Sequence, residues 1–448
     1  MTMFFIKFEV RPTEGNSHVE LVESASACCW VLAGSAAAAY NTASFYVLRS
    51  EWEIVDSTAP IEVVEEHFLN ADVGREQFAK AKRQAVAIYY VAVSRDGQTT
   101  IGPLSLERST CFDLNAFVQA QKKLEGKGRC LHFDSGGQCT SFIGAHSLQK
   151  RGLLREISQN GHVYVPSTNI GKLRNNQGQI VLERRGIDNV SKFRGFCELH
   201  DSTPFKAIDV TPLTPTDEQV ALYTYRTLCR ELFLKENASV LIDQQIANGQ
   251  QDLGARMLLD PCRTGTALGL DNLRRHKECF DESLRERSYQ DVEYTLFAFK
   301  QKPFLAFSAV LYPEFDFLGR RLQNLTDRAS HLDLLAVCSA SMQHGWGLLF
   351  SWHKTSSKTC REFPRSLARV IREGSRAESA LFRMVIASCE NLAVAPDWWE
   401  KLCEAEQRKF CSALSVDVFA PTQPDYLISG LEGISDWMVD GVYERTNA

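Results

Sequence analysis

The placement of three cysteines and one histidine constrains this 448-residue chain more than any other feature. Cys130 and Cys139 bracket the glycine-containing stretch LHFDSGGQ, and much later Cys197 and His200 stand as a Cys-x-x-His turn. Two soft sulfur ligands on a knuckle, completed by a thiol and an imidazole three residues apart, suit the tetrahedral nitrogen and sulfur coordination that zinc prefers. The spacing therefore predicts a structural zinc held by Cys130, Cys139, Cys197 and His200, with His132 as an alternative ligand. A potential base, His146, follows the second ligand, and a carboxylate, Asp201, directly follows the last.

That order resembles the zinc-stabilised HNH, or ββα-metal, endonucleases across roughly residues 120–235, on motifs this short. The stretches AHSLQ, GHVYVP and GFCELHDSTPF are also similar to bacterial proteins built around such a knuckle. The resemblance implies that His146 is the general base and Asp201 the ligand of a catalytic Mg²⁺ or Mn²⁺, while the zinc is structural. It also implies cleavage of nucleic acid, in a bacterial defence setting. Two positions depart from the family pattern: Ala145 stands where a metal-binding Asp or His usually precedes the catalytic His, and the nearest match to the middle Asn is Asn189, eight residues before Cys197. Those departures leave a second reading, a non-catalytic zinc-binding adaptor or sensor that binds nucleic acid or a protein partner.

Charge is distributed unevenly. The chain carries a net charge of −5, but residues 121–210 hold fourteen Lys and Arg against eight Asp and Glu. Lys150, Arg151, Arg155, Arg184, Arg185, Lys192 and Arg194 are candidates for a phosphate-tracking surface. Residues 391–448, with ten acidic side chains against four basic, are expected to avoid nucleic acid and to offer, with the N-terminal region, a place for a protein partner. Fourteen cysteines scattered through apolar segments point to a reducing, cytoplasmic setting. The 25 uncharged residues from Ser24 to Leu48 are long enough to cross a bilayer, yet their serines and small residues read as a buried strand, Cys28–Leu32, and an Ala-rich helix, Ser35–Leu48, so no membrane is expected.

The expected fold class is α+β and multi-domain. A small N-terminal α/β packing or interaction domain covers 1–110, with FFIKFEV, WEIVDS and AVAIYYVAVS as strands and a hairpin turning at Arg95-Asp96-Gly97-Gln98. A zinc-knuckle, HNH-like ββα module covers 111–210; it includes a helix over Leu148–Ser158, the strand GHVYV and a hairpin around Asn175–Gly178. The rest, 211–448, is expected to be a helical and antiparallel-sheet domain. There Thr214-Pro215 opens a helix, helical patterning continues to about Arg287 with a break near Pro261 and Gly265, two hairpins over 292–311 and 334–353 make a four-stranded sheet, and the part from Glu378 is helical. Neither a nucleophile elbow nor a phosphate-binding glycine loop is present.

Overall fold

The structure is a computed structural model and describes residues 2–16, 18–68, 72–95, 114–167, 172, 176, 179–248, 253–325, 327, 330–372, 377–414, 423–435 and 437–446. It mixes helices and strands, as expected for an α+β chain. Two compact units divide it: residues 1–113 with 240–265, and residues 114–239 with 266–448.

In the first unit, β1 (Thr2–Pro12), β2 (Val22–Ala33), β3 (Trp52–Ser57), β4 (Ile61–Glu62) and β5 (Val86–Ser94) form an antiparallel sheet in the order β3-β1-β2-β5, with β4 beside β1. The uncharged run is thus a strand and helix α1 (Ala36–Arg49), whose first turn is capped by Ser35 Oγ accepting from the Ala38 amide. Ala39, Ala43 and Val47 lie on the buried stripe of α1, so its alanines serve packing. Helix α2 (Asp72–Gln84) follows β4 in this unit; the hairpin expected at Asp96-Gly97 falls outside the described residues. Among the described residues, no helix is long and apolar enough to cross a membrane.

The second unit is organised by an eight-stranded sheet. Its strands are β7 (His162–Pro166), β8 (Leu182–Gly186), β10 (Val292–Phe299), β11 (Leu305–Leu311), β12 (Leu335–Ser341), β13 (Trp346–His353), β14 (Asn391–Val394) and β15 (Gly441–Arg445), in the order β15-β10-β13-β12-β11-β14-β7-β8. The four central strands are the ones expected from sequence, but the expected pairing of β10 with β11 does not form. β10 pairs with β13 and β15, whereas β11 pairs with β12 and β14. Of the two expected hairpins, the one between β12 and β13 forms, and its turn requires Gly345: φ is +88°, and a Cβ there would meet the Phe299 carbonyl oxygen.

Both faces of this sheet are covered. Val292, Tyr294 and Leu296 of β10 join one apolar cluster, while Phe297 and Phe299 join another on the opposite face. Residue parity therefore sorts side chains between two cores instead of between core and water. One core is closed by α7 (Glu362–Arg372), α8 (Ala377–Ser388) and α9 (Glu404–Leu414), with Trp346 stacked on Phe299 at 4.2 Å between centroids. The other receives two long helices, α5 (Asp217–Asn248) and α6 (Leu253–Glu286). The cap of α5 is Thr216, whose Oγ1 accepts from the Gln219 amide, two residues after the Thr-Pro step expected to start it. Helix α6 runs through Pro261 and Gly265 without the expected break.

Against the α5–α6 side sits a small two-stranded antiparallel sheet, β6 (Phe142–His146) with β9 (Lys192–Cys197), followed at once by α4 (Glu198–Ser202). Helix α3 (Leu114–Gly126) precedes it. Phe193, Phe196 and Phe205 carry this strand–strand–helix unit into the same core as Tyr225 and Phe233 of α5.

Candidate metal centre and adjoining polar site

The four predicted ligands converge. Their ligand atoms all lie within 4.8 Å of one another, and the Sγ atoms of Cys130, Cys139 and Cys197 stand 3.3, 3.4 and 3.4 Å from His200 Nδ1. One ring nitrogen shares at most one proton, so three thiols gathered on it do not satisfy each other by hydrogen bonding. A tetrahedral zinc with bonds of ~2.3 Å to sulfur and ~2.1 Å to nitrogen sets each S···N edge near 3.6 Å, close to the spacing found. The donor set therefore fits zinc.

Local structure explains the convergence. The Cys130–Cys139 segment has no regular element of its own, but the Arg129 and Leu131 amides donate to the carbonyls of Arg194 and Gly195, which lays the knuckle along β9. On the far side the Arg129 guanidinium donates to Glu236, Asn237 and the Phe233 carbonyl of α5, and lies 4.1 Å from the Phe233 ring. Cys197 immediately precedes α4. Burial pushes its thiol up, but the His200 backbone amide and the thiols of Cys139 and Cys130 outweigh burial and hold it below its ordinary value. His132 is not part of the set: its ring stacks on His200 at 4.2 Å, and its Nδ1 accepts from the Asp134 amide. Asp134 also places a carboxylate oxygen 3.9 Å from His200 Nε2, where outer-sphere carboxylates orient a ligating imidazole.

His146 closes β6, paired across the sheet with Lys192. It is half-buried, and burial, then the charges of Lys192 and Lys150, lower its pKa to about 4 against a weaker pull from the Ile187 backbone. Its Nε2 is buried without a hydrogen-bond partner. Asp201, in α4, is also half-buried and keeps Oδ1 without a partner; burial pushes its carboxyl up to about 6, with Arg226 lowering it and Asp209 raising it. Arg226 of α5 thus acts on both groups. Ala145 is buried in the core.

Asn189 lies exposed in the short 3₁₀ turn Ile187–Asn189. A different asparagine holds the His146 end of the sheet. Asn391, on β14, points Nδ2 at the hydroxyls of Ser147, Ser191 and Ser308, at 2.9, 3.2 and 2.6 Å. Ser147 follows His146 directly, and Ser191, at φ +61°, precedes its pairing partner Lys192. Asn391 gave no signal in sequence because it comes from a strand more than two hundred residues away. Replacing Asn391 with Ala is expected to cost about 1–3 kcal/mol in chemical denaturation, the penalty for leaving buried polar groups unpaired. An unchanged midpoint and slope would mean that the cluster holds nothing.

The seven basic candidates behave unequally. Arg194 is engaged with the carbonyls of Gly126 and Phe142, Arg185 with Glu183, Lys150 with Asp188, and Arg184 with Gln159. Arg151, Arg155 and Lys192 are exposed and have no ion-pair partner among the described residues. Trp398 and Trp399 pack inward, Trp398 stacking on Phe304 at 4.4 Å and Trp399 against Phe410. No disulfide forms among the described cysteines. In comparison with known proteins, no family model, no curated protein and no solved structure matches the chain.

Proposed function

We propose that this chain is a metal-dependent, HNH-like endonuclease that hydrolyses phosphodiester bonds of nucleic acid, with a structural zinc on Cys130, Cys139, Cys197 and His200. The observation that carries the reading is the pair of buried, unpartnered atoms beside the metal centre, His146 Nε2 and Asp201 Oδ1, on adjacent elements of a strand–strand–helix unit. Buried polar atoms are seldom left unpaired unless something else meets them.

In this reading the imidazole of His146, neutral at pH 7, takes a proton from a water molecule on Nε2. The resulting hydroxide attacks phosphorus, the bond to the leaving oxygen breaks, and solvent supplies the proton that oxygen needs. The Asp201 carboxylate would hold a hard divalent ion such as Mg²⁺ or Mn²⁺, which would supply charge neutralisation at the phosphate. The buried Ala145 favours the second reading, a zinc-clipped adaptor, because it provides no further ligand. Incubating the zinc-loaded protein with single- and double-stranded DNA and RNA, with and without magnesium or manganese, separates the two. Cleavage under none of these conditions would remove the nuclease and leave the adaptor.

Affinity for nucleic acid is expected to fall steeply with salt, since each neutralised phosphate releases counterions. Neutralising Arg151, Arg155 and Lys192 together should flatten the plot of log K against log salt by about 0.7–0.9 per charge removed. A slope left unchanged would take these three residues out of the interface.

A further inference from the structure

Arg226 has no place in the sequence reading, yet it is the least satisfied charged group near the metal centre. It projects from α5 with 1% of its surface exposed. Nη1 donates to Asp209 Oδ1 at 2.6 Å, and the guanidinium lies 5.2 Å from the Phe205 ring. Nε and Nη2, which make up the edge of a guanidinium that grips oxyanions in bidentate fashion, are buried with no partner. An arginine cannot shed its proton to escape this, so the unmet donors carry the full cost of desolvation. Asp201 is close enough to feel the charge of Arg226, but its unpartnered Oδ1 makes no bond to it. Unmet donors on a buried guanidinium that is always charged mark a place where an anion is to be bound.

We propose that Arg226 is an oxyanion-binding residue, its Nε–Nη2 edge receiving two oxygens of a phosphate group beside His146 Nε2 and Asp201 Oδ1. That the phosphate belongs to a nucleic acid rests on the endonuclease reading; the binding of the oxyanion does not. Asp209 fixes the guanidinium by Nη1 and leaves the opposite edge for the ligand. His146 and Asp201 are half-buried and Arg226 is buried more deeply. Lys192 and Lys150, whose charges already act on His146, add positive potential there. The role matches the chemistry of phosphodiester cleavage, in which negative charge grows on the non-bridging oxygens as hydroxide attacks.

The test uses the full-length, zinc-loaded protein and inorganic phosphate as the probe. Phosphate is expected to raise the melting temperature of the wild type in a saturable way, and Arg226→Lys, which keeps the charge but lacks the forked edge, to bind it about tenfold or more weakly. Zinc content and circular dichroism report whether the variant is folded. A wild type that phosphate does not stabilise, or a folded R226K that binds phosphate as the wild type does, overturns the proposal. Should R226K fail to hold zinc, crystals of the wild type soaked in tungstate decide: anomalous density within hydrogen-bonding distance of Nε and Nη2 supports the assignment, and density elsewhere or none overturns it. Phosphate binding that depends on Arg226 in a protein that cleaves no nucleic acid would retain the oxyanion site and discard the nuclease. Cleavage that R226K leaves unchanged, with phosphate binding unaltered, would do the reverse.

Discussion

Replacing Cys197 with Ala, or stripping the metal with a strong chelator, is expected to release one zinc per chain and to loosen residues 127–141 from β9. The knuckle has no helix or strand of its own and is exposed through much of its length, so its attachment rests on the backbone bonds from Arg129 and Leu131 and on Arg129 against α5, with the metal as the expected third hold. Structural zinc contributes apparent binding energies of about 10–16 kcal/mol in small zinc-finger domains, far more than two backbone hydrogen bonds. Here the consequence is local before it is global. No central strand of the larger sheet carries a zinc ligand, and the core on its face away from α5 and α6 holds no residue of 127–141. Limited proteolysis should therefore cut the metal-free protein first between residues 127 and 141, while the eight-stranded sheet retains its far-ultraviolet signal. Elemental analysis that finds no zinc in protein purified under reducing conditions, with the segment still protease-resistant, would sink the metal centre and every reading built on it.

The ligand set was legible because its information is local. Cys-x-x-His needs only one turn of helix, and a glycine-containing loop between two cysteines allows both thiols to face one point; no knowledge of the sheet is required. The Ala-rich helix expected over Ser35–Leu48 was legible for the same reason, and the structure adds that Ser35 caps it. The large sheet was only partly so. Strands buried on both faces carry apolar residues pointing both ways, which hides which strand is a neighbour of which, and a Pro-containing turn at 301–303 reads like a hairpin when it is in fact a crossover to a different place in the sheet. β14 and β15 were missed because four or five residues of mixed polarity in an acidic, otherwise helical stretch carry no distinctive period. Asn391 and Arg226 were invisible for a deeper reason. Each is one polar residue in an element with an ordinary pattern, and its importance lies in the partners that tertiary structure brings or fails to bring.

His146→Ala is expected to slow metal-dependent cleavage about 10²- to 10⁴-fold, the usual loss when a positioned base is removed, while zinc content stays at the wild-type value. The histidine is not a zinc ligand, and the chief bond the variant loses, to the Ile187 backbone, is worth only about 0.5–1.5 kcal/mol. Asp201→Asn should fall by a similar factor and recover in part at high magnesium, since a weakened ligand lowers metal affinity first. The pH profile adds a separate check. Burial, then Lys192 and Lys150, lower the imidazole from its ordinary value to about 4, so above that pH it remains the free base. The acid limb of kcat/KM assigned to His146 should accordingly lie near pH 4 rather than near 6.5. For stability the sign follows from proton counting: between about pH 6.5 and 4 the unfolded chain binds a proton at this residue and the folded chain does not. The contribution of a neutral His146 is thus complete above pH 6.5 and is lost as pH falls toward 4, and His146→Ala should lessen that part of the decline. A wild type that cuts neither DNA nor RNA, together with a His146→Ala variant that melts several degrees lower, would assign the histidine to holding the fold and leave the chain as a zinc-clipped binding protein.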